Sequence, residues 1–291
     1  MTSTVCRVLG RREIHGVASK CGRPGAGLGG LSGRHGTFRE EGIMYGWRAV
    51  VGLIEPSGGP MLQEEVRRAA PEGVTFVGSR MYIEEVSLKG VEGMVTHVER
   101  AARDIAIMKA DSVVLCGTPA GFFKGHAFNR EVTERLEKAS GLPSMTQISA
   151  VVEGLRLLGP RRIVVATAYL DELNERLRDF LEEAGFEVLV LKGLQQRYNW
   201  DIYRLPPSAA YRLTRDALKE AGDAEGIFIS CGGMRTFDII DTLERDLGLP
   251  VVTSNQAALW AGLRMGQVRE SIEGYGQLLR KLGDADENGD V

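Results

Sequence analysis

One cysteine stands where a buried strand is expected to end beside two glycines. Cys231 follows the apolar run GIFIS and precedes Gly232 and Gly233. Helix-forming sequence starts soon after, at Thr236, and the N-terminal end of a helix carries unpaired N–H groups and a partial positive charge. Both effects lower the pKa of a thiol and bind anions, which predicts a thiolate base or a thiol acid beside a bound anion. A cysteine packed as a small apolar side chain is the alternative interpretation.

Three polar side chains stand at or near other expected strand ends. Thr118, in the segment LCGTPAGFFKG, offers a hydroxyl and a backbone N–H, as an oxyanion site requires. Tyr169 follows the run IVVAT and can hydrogen-bond a carboxylate. Asn199 lies in RYNWDIYRLPP, a segment that we interpret as a lid loop. Ordinary structural interpretations stay open for them: a turn residue for Thr118 and a surface-packed ring for Tyr169.

Short apolar runs alternate with amphipathic stretches along most of the chain. The candidate strands are Ala49–Ile54, Val74–Gly78, Ser112–Cys116, Arg162–Thr167, Glu187–Leu191, Gly226–Cys231 and Val251–Thr253. Asp171–Ala184 is the clearest helix, because its apolar residues share one face and Asp171 can cap the first turn. Strands that alternate with helices predict a parallel sheet that is covered on both faces.

An internal repeat predicts two similar halves. LEKASGLPSMT at 136–146 matches LERDLGLPVVT at 243–253, and one strand upstream in each half an apolar run ends in Cys-Gly, at Cys116 and Cys231. A duplicated α/β unit explains this pattern, and two facing units bring equivalent strand ends to one cleft. We therefore predict an α/β fold with two pseudo-symmetric Rossmann-like halves, each a mostly parallel sheet flanked by helices, and an active site between them.

The predicted domain organisation has three parts. Residues 1–43 are rich in glycine and arginine and show no periodicity, which is typical of a disordered extension. Residues 44–160 are expected to form the first α/β half and residues 161–291 the second. We expect the C-terminal helix to be able to pack back on the first half.

Composition excludes several classes of function. The 291 residues carry a formal net charge of −3, which gives no basis for binding nucleic acid or an anionic membrane. No apolar run approaches the roughly 20 residues that span a bilayer, and the cysteines form no CxxC pair. No glycine-rich nucleotide motif follows a predicted strand, and no metal-ligand spacing is present. We expect a cytoplasmic protein without cofactor or metal that binds a small carboxylate, and the sequence leaves a homo-oligomer open.

The quoted segments together resemble the aspartate/glutamate racemase superfamily. Within it they are most similar to the branch of arylmalonate decarboxylases and maleate isomerases, and there to the decarboxylases. The likeness covers about residues 48–282 and rests on GTPAGFFKG, the GLP-containing repeat, LLGPRRIVVATAYLDELNERL, ISCGG and GYGQLL. The resemblance implies two pseudo-symmetric α/β halves, an active site between them and catalysis without a cofactor.

The resemblance also implies roles for individual residues. Cys231 matches the cysteine that protonates an enediolate after a substituted malonate has lost CO₂. Thr118, Tyr169 and Gly232 match members of the oxyanion site that stabilises the enediolate. Gly117 falls where racemases of the superfamily carry their first cysteine.

Three positions depart from the decarboxylase pattern. Pro119 replaces a serine and supplies neither a hydroxyl nor an N–H. Asn199 stands where the decarboxylase has an aliphatic residue that destabilises the leaving carboxylate, and it resembles the asparagine of maleate isomerase. Cys116 precedes the racemase cysteine position by one residue, so we expect its side chain on the opposite, core face unless a local shift brings it into the cleft. With Pro119 and Asn199, we also expect Pro56 to contact the substrate.

Decarboxylation of a substituted malonate, with Cys231 as proton donor, is therefore the predicted reaction. Maleate cis–trans isomerisation explains Asn199 but requires a nucleophilic cysteine from the first half. Racemisation of the Asp/Glu type requires two opposed acid–base groups. A carboxylate-binding protein without catalysis is the fourth alternative.

Overall fold

Two four-stranded parallel sheets form the frame of the protein. The computed structural model describes residues 45–283, so the extension expected at residues 1–43 lies outside the described residues. The first sheet has the order β2-β1-β3-β4, with strands Ala49–Pro56 (β1), Val74–Met81 (β2), Ser112–Leu115 (β3) and Ser144–Thr146 (β4). The second has the order β6-β5-β7-β8, with strands Arg162–Thr167 (β5), Glu187–Gly193 (β6), Gly226–Ser230 (β7) and Val251–Thr253 (β8). All strand pairs are parallel.

Helices follow the strands and flank both sheets, which confirms the predicted α/β class. In the first half they are Met61–Ala69 (α1), Leu88–Val95 (α2), Val98–Ile107 (α3), Pro119–Phe122 (α4), Gly125–Ser140 (α5) and Gln147–Leu158 (α6). In the second half they are Asp171–Glu183 (α7), Asn199–Tyr203 (α8), Pro207–Ala221 (α9), Ile240–Leu247 (α10), Ser254–Met265 (α11) and Gln277–Arg280 (α12). Among the described residues, none of these helices combines the length and apolar character needed to cross a membrane.

The central strands are buried because helices cover both faces of each sheet. All residues of the central strands β3 and β7 are buried, and their sequences are largely apolar, as expected of parallel strands between two helical layers. In β1, Gly52 lies against Ile105 of α3, whereas Val51 lies against Gly262 of α11. Neighbouring residues of the strand therefore face opposite helical layers.

The internal repeat has the same local structure in both halves. Gly141 and Gly248 end α5 and α10 in the left-handed conformation, with φ of 69° and 68°, which glycine adopts without a Cβ penalty. Thr146 and Thr253 then cap α6 and α11, because each side chain accepts a hydrogen bond from a backbone N–H of the first turn. The repeat thus starts an equivalent helix at the C-terminal edge of each sheet.

Helices α6 and α11 join the two halves. They pack against each other, and each also contacts strands of the other half: α6 contacts β8, and α11 contacts β1 and β3. Residues 254–263 of α11 are all buried, as expected of a helix with protein on every side. The first turns of α6 and α11 lie beside the ends of β3 and β7, where the sequence places the candidate site residues.

Three local features differ from expectation. Ser144–Thr146 forms a strand that the apolar pattern did not indicate, because it is short and contains one apolar residue. Asp171 starts α7 but does not cap it, since its carboxylate accepts a hydrogen bond from Gln195 instead. The helix expected soon after Cys231 starts only at Ile240, so no long helix end points at the thiol.

Candidate active site

The turns that follow β3 and β7 have the same unusual backbone conformation. Gly117 has a φ of 117° and Cys231 a φ of 124°. Glycine adopts positive φ easily, but a side chain at such a position is strained by about 1–3 kcal/mol. The fold therefore holds Cys231 in a conformation that a cysteine would not choose, which marks the turn as a candidate functional position.

A chain of hydrogen bonds connects the two turns through the first residues of α6 and α11. The Gly117 N–H donates to Gln147 Oε1 (2.8 Å), and the Cys231 N–H donates to Ser254 Oγ (3.2 Å). The Thr118 hydroxyl donates to Gln147 Oε1 (3.0 Å) and lies 2.9 Å from Ser254 Oγ, which completes the chain. Sequence reasoning missed Gln147 and Ser254, although both directly follow the matched threonines of the repeat.

Backbone donors at the two turns are free to bind an anion. Among the described residues, the N–H groups of Thr118 and Gly232 donate to no protein acceptor, and both residues line the same cavity. The Thr118 hydroxyl, expected as an oxyanion donor, is held by Gln147 instead, so its backbone N–H is the better candidate. Two N–H groups without a protein acceptor in one cavity are a candidate anion site, of the kind that backbone turns build.

Tyr169 brings a neutral phenol to this anion site. Its side chain is fully buried, which excludes the surface-packed alternative, and its hydroxyl accepts a hydrogen bond from Ser230 Oγ (3.2 Å). Burial raises the pKa of Tyr169 well above its ordinary value, and the negative charge that Cys231 carries once it ionises raises it further. The hydroxyl therefore keeps its proton at neutral pH and can donate it in a hydrogen bond.

The Cys231 thiol is an acid rather than a thiolate at neutral pH. Burial raises its pKa to about 11, although the Gly233 N–H, the Tyr169 hydroxyl and the Met234 N–H each oppose the shift. The lowered pKa expected from the sequence is therefore wrong. It relied on a helix end directly after the cysteine, and the residue is instead buried, with 9% of its surface exposed.

One cavity between the halves, of about 560 Å³ including its mouth, collects the candidate residues. All eight positions expected from the sequence line it: Pro56, Gly117, Thr118, Pro119, Tyr169, Asn199, Cys231 and Gly232. No lysine, arginine or histidine is among the lining residues that the structure describes. A bound carboxylate would therefore meet hydrogen-bond donors without a directly opposed cation.

Five buried apolar side chains contribute to the lining of the cavity, and we call them the aliphatic wall. They come from α1, α2 and the segment before α2, namely Leu62, Ile83, Val86, Val91 and Met94. A Cβ built on Gly117 would lie 3.5 Å from Met94 Cε, so Met94 of this wall lies beside the first turn. Sequence reasoning missed it because the five residues come from separate segments with no shared periodicity.

Asn199 belongs to a short helix rather than to a loop. It starts α8, and its Nδ2 donates to the Ile83 carbonyl oxygen (3.3 Å). The segments before α2 and α8 are also joined by a bridge between Glu85 and Tyr198. Asn199 thus ties the two segments together, and this bond occupies one of its two amide hydrogens.

Cys116 borders the cavity but is held in the core. It is 2% exposed, and its thiol lies 3.5 Å from the Val114 carbonyl oxygen of the strand that precedes it. Burial raises its pKa well above the ordinary value, and the neighbouring carboxylate of Glu55 adds to this effect. Both causes disfavour the thiolate, so Cys116 is a poor nucleophile.

A buried glutamate of the first half supports the loop that follows Cys231. Glu65 of α1 accepts hydrogen bonds from the backbone N–H groups of Thr236 (2.6 Å) and Phe237 (3.0 Å). It also accepts one from Asn255 Nδ2 (2.6 Å), which in turn donates to the Gly232 carbonyl oxygen (3.1 Å). This network fixes the loop across the boundary between the halves.

Among the described residues, no group of His, Cys, Asp and Glu is arranged to hold a metal ion.

Comparisons with known sequences agree with one another. A family model described as arylmalonate decarboxylase matches residues 51–279. Arylmalonate decarboxylase of Bordetella bronchiseptica is 35% identical over 234 residues, which are 78% of this chain and 95% of that protein. A maleate isomerase of Pseudomonas putida is 26% identical over 245 residues, which are 79% of this chain and 96% of that protein.

Comparisons with solved structures give the same two kinds of protein. A mutant of arylmalonate decarboxylase in liganded form superposes with a TM-score of 0.76 and 33% identity, covering 79% of this chain and 98% of that one. A mutant maleate isomerase from Pseudomonas putida S16 with maleate has a TM-score of 0.76 and 25% identity, covering 80% and 98%. Both likenesses extend over nearly the full length of the relatives.

Proposed function

The chain belongs to the arylmalonate decarboxylase family, as its sequence resemblance indicated, and from this premise we propose that it decarboxylates a 2-substituted malonate. In the proposed reaction, the bond between Cα and one carboxylate breaks and CO₂ leaves. The electron pair of that bond stays with Cα and the second carboxylate as an enediolate. Cys231 then transfers its thiol proton to Cα, and solvent later restores the proton.

The retained carboxylate is proposed to lie between the two turns. The free N–H groups of Thr118 and Gly232 and the phenol of Tyr169 can donate to its two oxygens. Negative charge on these oxygens grows as the enediolate forms, so fixed donors stabilise the transition state more than the bound substrate. Gln147 and Ser254 act as positioning residues, because they hold the turns and do not reach the substrate in this proposal.

The leaving carboxylate is proposed to face the aliphatic wall. Ile83, Val86, Val91 and Met94 offer no hydrogen bond to an anion, so a carboxylate pressed against them has lost much of its hydration. CO₂ is neutral and apolar, and its departure relieves this cost. The described lining also contains no cationic side chain that would hold the leaving carboxylate in place, and this supports decarboxylation.

The proton donor is the observation that carries the proposal. A thiol with a pKa of about 11 is protonated at neutral pH, and it lies at a strained turn directly beside the anion site. Its counterpart in the other half is Gly117, which has no side chain. Protonation is therefore proposed to occur from one side only and to give one enantiomer of the monoacid.

Maleate isomerisation is a second candidate because of Asn199, whose second amide hydrogen could hold a carboxylate. That reaction requires a nucleophilic thiol from the first half. Gly117 occupies the position equivalent to Cys231, and the Cys116 thiol is buried with a raised pKa. These observations favour decarboxylation.

An assay of the purified full chain tests the choice of reaction. The chain is incubated in D₂O with 2-methyl-2-phenylmalonate, maleate, aspartate or glutamate, and products are followed by proton NMR. We expect the malonate to give 2-phenylpropionate with one deuterium at Cα, while the other compounds stay unchanged. Conversion of maleate to fumarate, or exchange of the amino acid α-hydrogen without malonate turnover, would contradict the proposal.

A further inference from the structure

The cavity contains a second polar region that the proposed reaction does not use. It consists of Glu55, near the end of β1, and Tyr203, at the end of α8, which both line the cavity. Glu55 is 2% exposed, so its carboxylate depends on protein or ligand groups for its hydrogen bonds. We call these two residues the acid–phenol pair.

Glu55 has one satisfied and one unsatisfied oxygen. Its Oε1 accepts a hydrogen bond from Gln63 Nε2 (2.7 Å). Its Oε2 lies 3.5 Å from Arg80 Nη1, but that nitrogen donates at shorter range to the carbonyl oxygens of Gly59 (2.8 Å) and Pro56 (3.1 Å). Among the described residues, no group donates a hydrogen bond to Oε2, and a carboxylate oxygen can accept two.

Tyr203 has an unused hydroxyl in the same cavity. Its ring packs on Gly59 and Gly233, where an added Cβ would lie within 3 Å of ring atoms. Among the described residues, no partner is found for its hydroxyl. Burial raises the pKa of Tyr203, and the groups that add to the shift are Cys231 and Glu55, so the phenol lies within electrostatic reach of both.

The acid–phenol pair borders both turns of the reaction centre, since Glu55 precedes Pro56 in β1 and Tyr203 lies at the second turn. Gly117 faces Met94 and Pro56, whereas Tyr203 packs on Gly233, which belongs to the turn of Cys231. When one carboxylate of the malonate lies at the two turns and the other faces the aliphatic wall, the cavity lining left for the larger substituent includes Glu55 and Tyr203. The far end of the substituent then meets one free acceptor and one free phenol.

We propose that the acid–phenol pair binds a neutral hydrogen-bond donor, a hydroxyl group, at the far end of the substrate's larger substituent. This inference rests on the proposed decarboxylation and names its substrate class, a 2-(hydroxyaryl) or comparable hydroxyl-bearing malonate. The donor is neutral because Arg80 already balances the charge of Glu55 at 3.5 Å. The ligand hydroxyl donates to Glu55 Oε2 and accepts from the Tyr203 phenol, which satisfies both groups.

Three matched substrates test the proposal with the full chain. They are 2-methyl-2-phenylmalonate and its analogues with a hydroxyl or a methoxy group on the ring, each at the 3- or 4-position. The methoxy group keeps the oxygen but cannot donate a hydrogen bond. We expect kcat/KM for the better hydroxyl isomer to exceed that of both the phenyl and methoxy compounds by about tenfold or more.

Variants assign the preference to the acid–phenol pair. Glu55→Val is expected to reduce the hydroxyl-to-phenyl ratio of kcat/KM to about 1, and Tyr203→Phe to reduce it severalfold. Glu55→Gln keeps the size of the side chain and serves if Glu55→Val does not fold. Glu153→Gln is the control, because Glu153 is a half-buried glutamate with an arginine at 3.4 Å that lies on α6 outside the cavity lining. Its ratio should equal that of the wild type.

Binding of the monoacid products separates the two proposals. The affinities of 2-phenylpropionate and its hydroxyl and methoxy analogues are measured by calorimetry, which requires no turnover. Tighter binding of the hydroxyl acid that is lost in Glu55→Val supports the acid–phenol pair even if no malonate reacts. A wild type that decarboxylates all three malonates with equal kcat/KM, or a preference that survives Glu55→Val, overturns the acid–phenol pair and leaves decarboxylation standing.

Discussion

The turn after β3 and the turn after β7 follow the same backbone path but carry different side chains. Both have φ near 120° at the central residue, and in both the N–H of that residue is bound by the first residue of a facing helix. The first turn has Gly117 at this position, and the second has Cys231. The fold thus supplies two equivalent positions, and the residue at each determines whether it can hold a proton.

Backbone strain from the positive φ is therefore present in the second turn only. Gly117 adopts its conformation without a Cβ penalty, whereas Cys231 does not. A cysteine at a position suited to glycine persists because the surrounding network holds it there, through Ser254 at its N–H and through Glu65 and Asn255 beyond it. We infer that stability is sacrificed at the second turn in order to place one thiol beside the anion site.

Removal of the thiol is expected to have the largest effect. Cys231→Ser should reduce kcat for a 2-aryl malonate by about 10²–10⁴, because a serine hydroxyl is a far weaker acid at the same place. Steady-state kinetics measure this loss, and calorimetry with the monoacid should show that binding persists. Cys116→Ala is the control and should retain turnover, so loss of decarboxylation in a folded Cys116→Ala protein would contradict the assignment.

A second thiol at the first turn should make the two turns alike. Gly117→Cys is expected to create racemisation of the monoacid product, since a thiol then stands on each side of Cα. The new Cβ would lie 3.2 Å from Pro56 Cγ, so that ring must shift by a few tenths of an ångström. Chiral chromatography of a single-enantiomer product incubated with the variant measures the gain. A folded variant that leaves the product optically pure would break the proposed equivalence.

The pH dependence of thiol reactivity tests the acid form of Cys231. The folded pKa of about 11 lies above the ordinary value of 9.0, so the stability gained from the neutral thiol is present below pH 9 and is lost as pH rises through about 11. Alkylation by iodoacetamide, followed at this residue by peptide mass spectrometry, should accelerate toward pH 11. A rate that already levels off near pH 7 would show a thiolate and refute a thiol donor.

The smallest expected effect is on stability. Cys231→Gly should be more stable than Cys231→Ala by about 1 kcal/mol, because only glycine relieves the positive φ. Gly117→Ala should lower stability by a similar amount, about 1 kcal/mol, for the converse reason. Urea unfolding measures the free energy of unfolding of the three variants and of the wild type. Equal stability of Cys231→Gly and Cys231→Ala would argue that the second turn is not strained.

Apolar runs in the sequence were enough to predict most strands of the two sheets. Arg162–Thr167 and Val251–Thr253 form strands with the predicted bounds, because continuous apolar runs between helical segments are typical of buried parallel strands. Ser144–Thr146 was missed although the repeat aligns it with Val251–Thr253. Comparison of the two halves would have identified it where the apolar pattern could not.

The site could be predicted only where its residues stand at strand ends. Thr118, Tyr169 and Cys231 follow strands, and the parallel topology brings such residues to one edge. Glu55 and Tyr203 were missed because their importance depends on which neighbours surround them in three dimensions. The predicted direction of the Cys231 pKa shift was wrong for the same reason. Burial depends on the tertiary structure, and its effect on the pKa is larger than that of the local backbone N–H groups.

Transfer of the thiol from one turn to the other tests the central claim most directly. The double variant Gly117→Cys/Cys231→Ser decarboxylates a prochiral 2-methyl-2-aryl malonate, and the configuration of the monoacid is compared with that from the wild type by chiral chromatography. We predict the opposite enantiomer, because the thiol that protonates Cα then approaches from the other side. The wild-type enantiomer, or a racemate, from the folded double variant would contradict one-sided protonation by the residue at these turns.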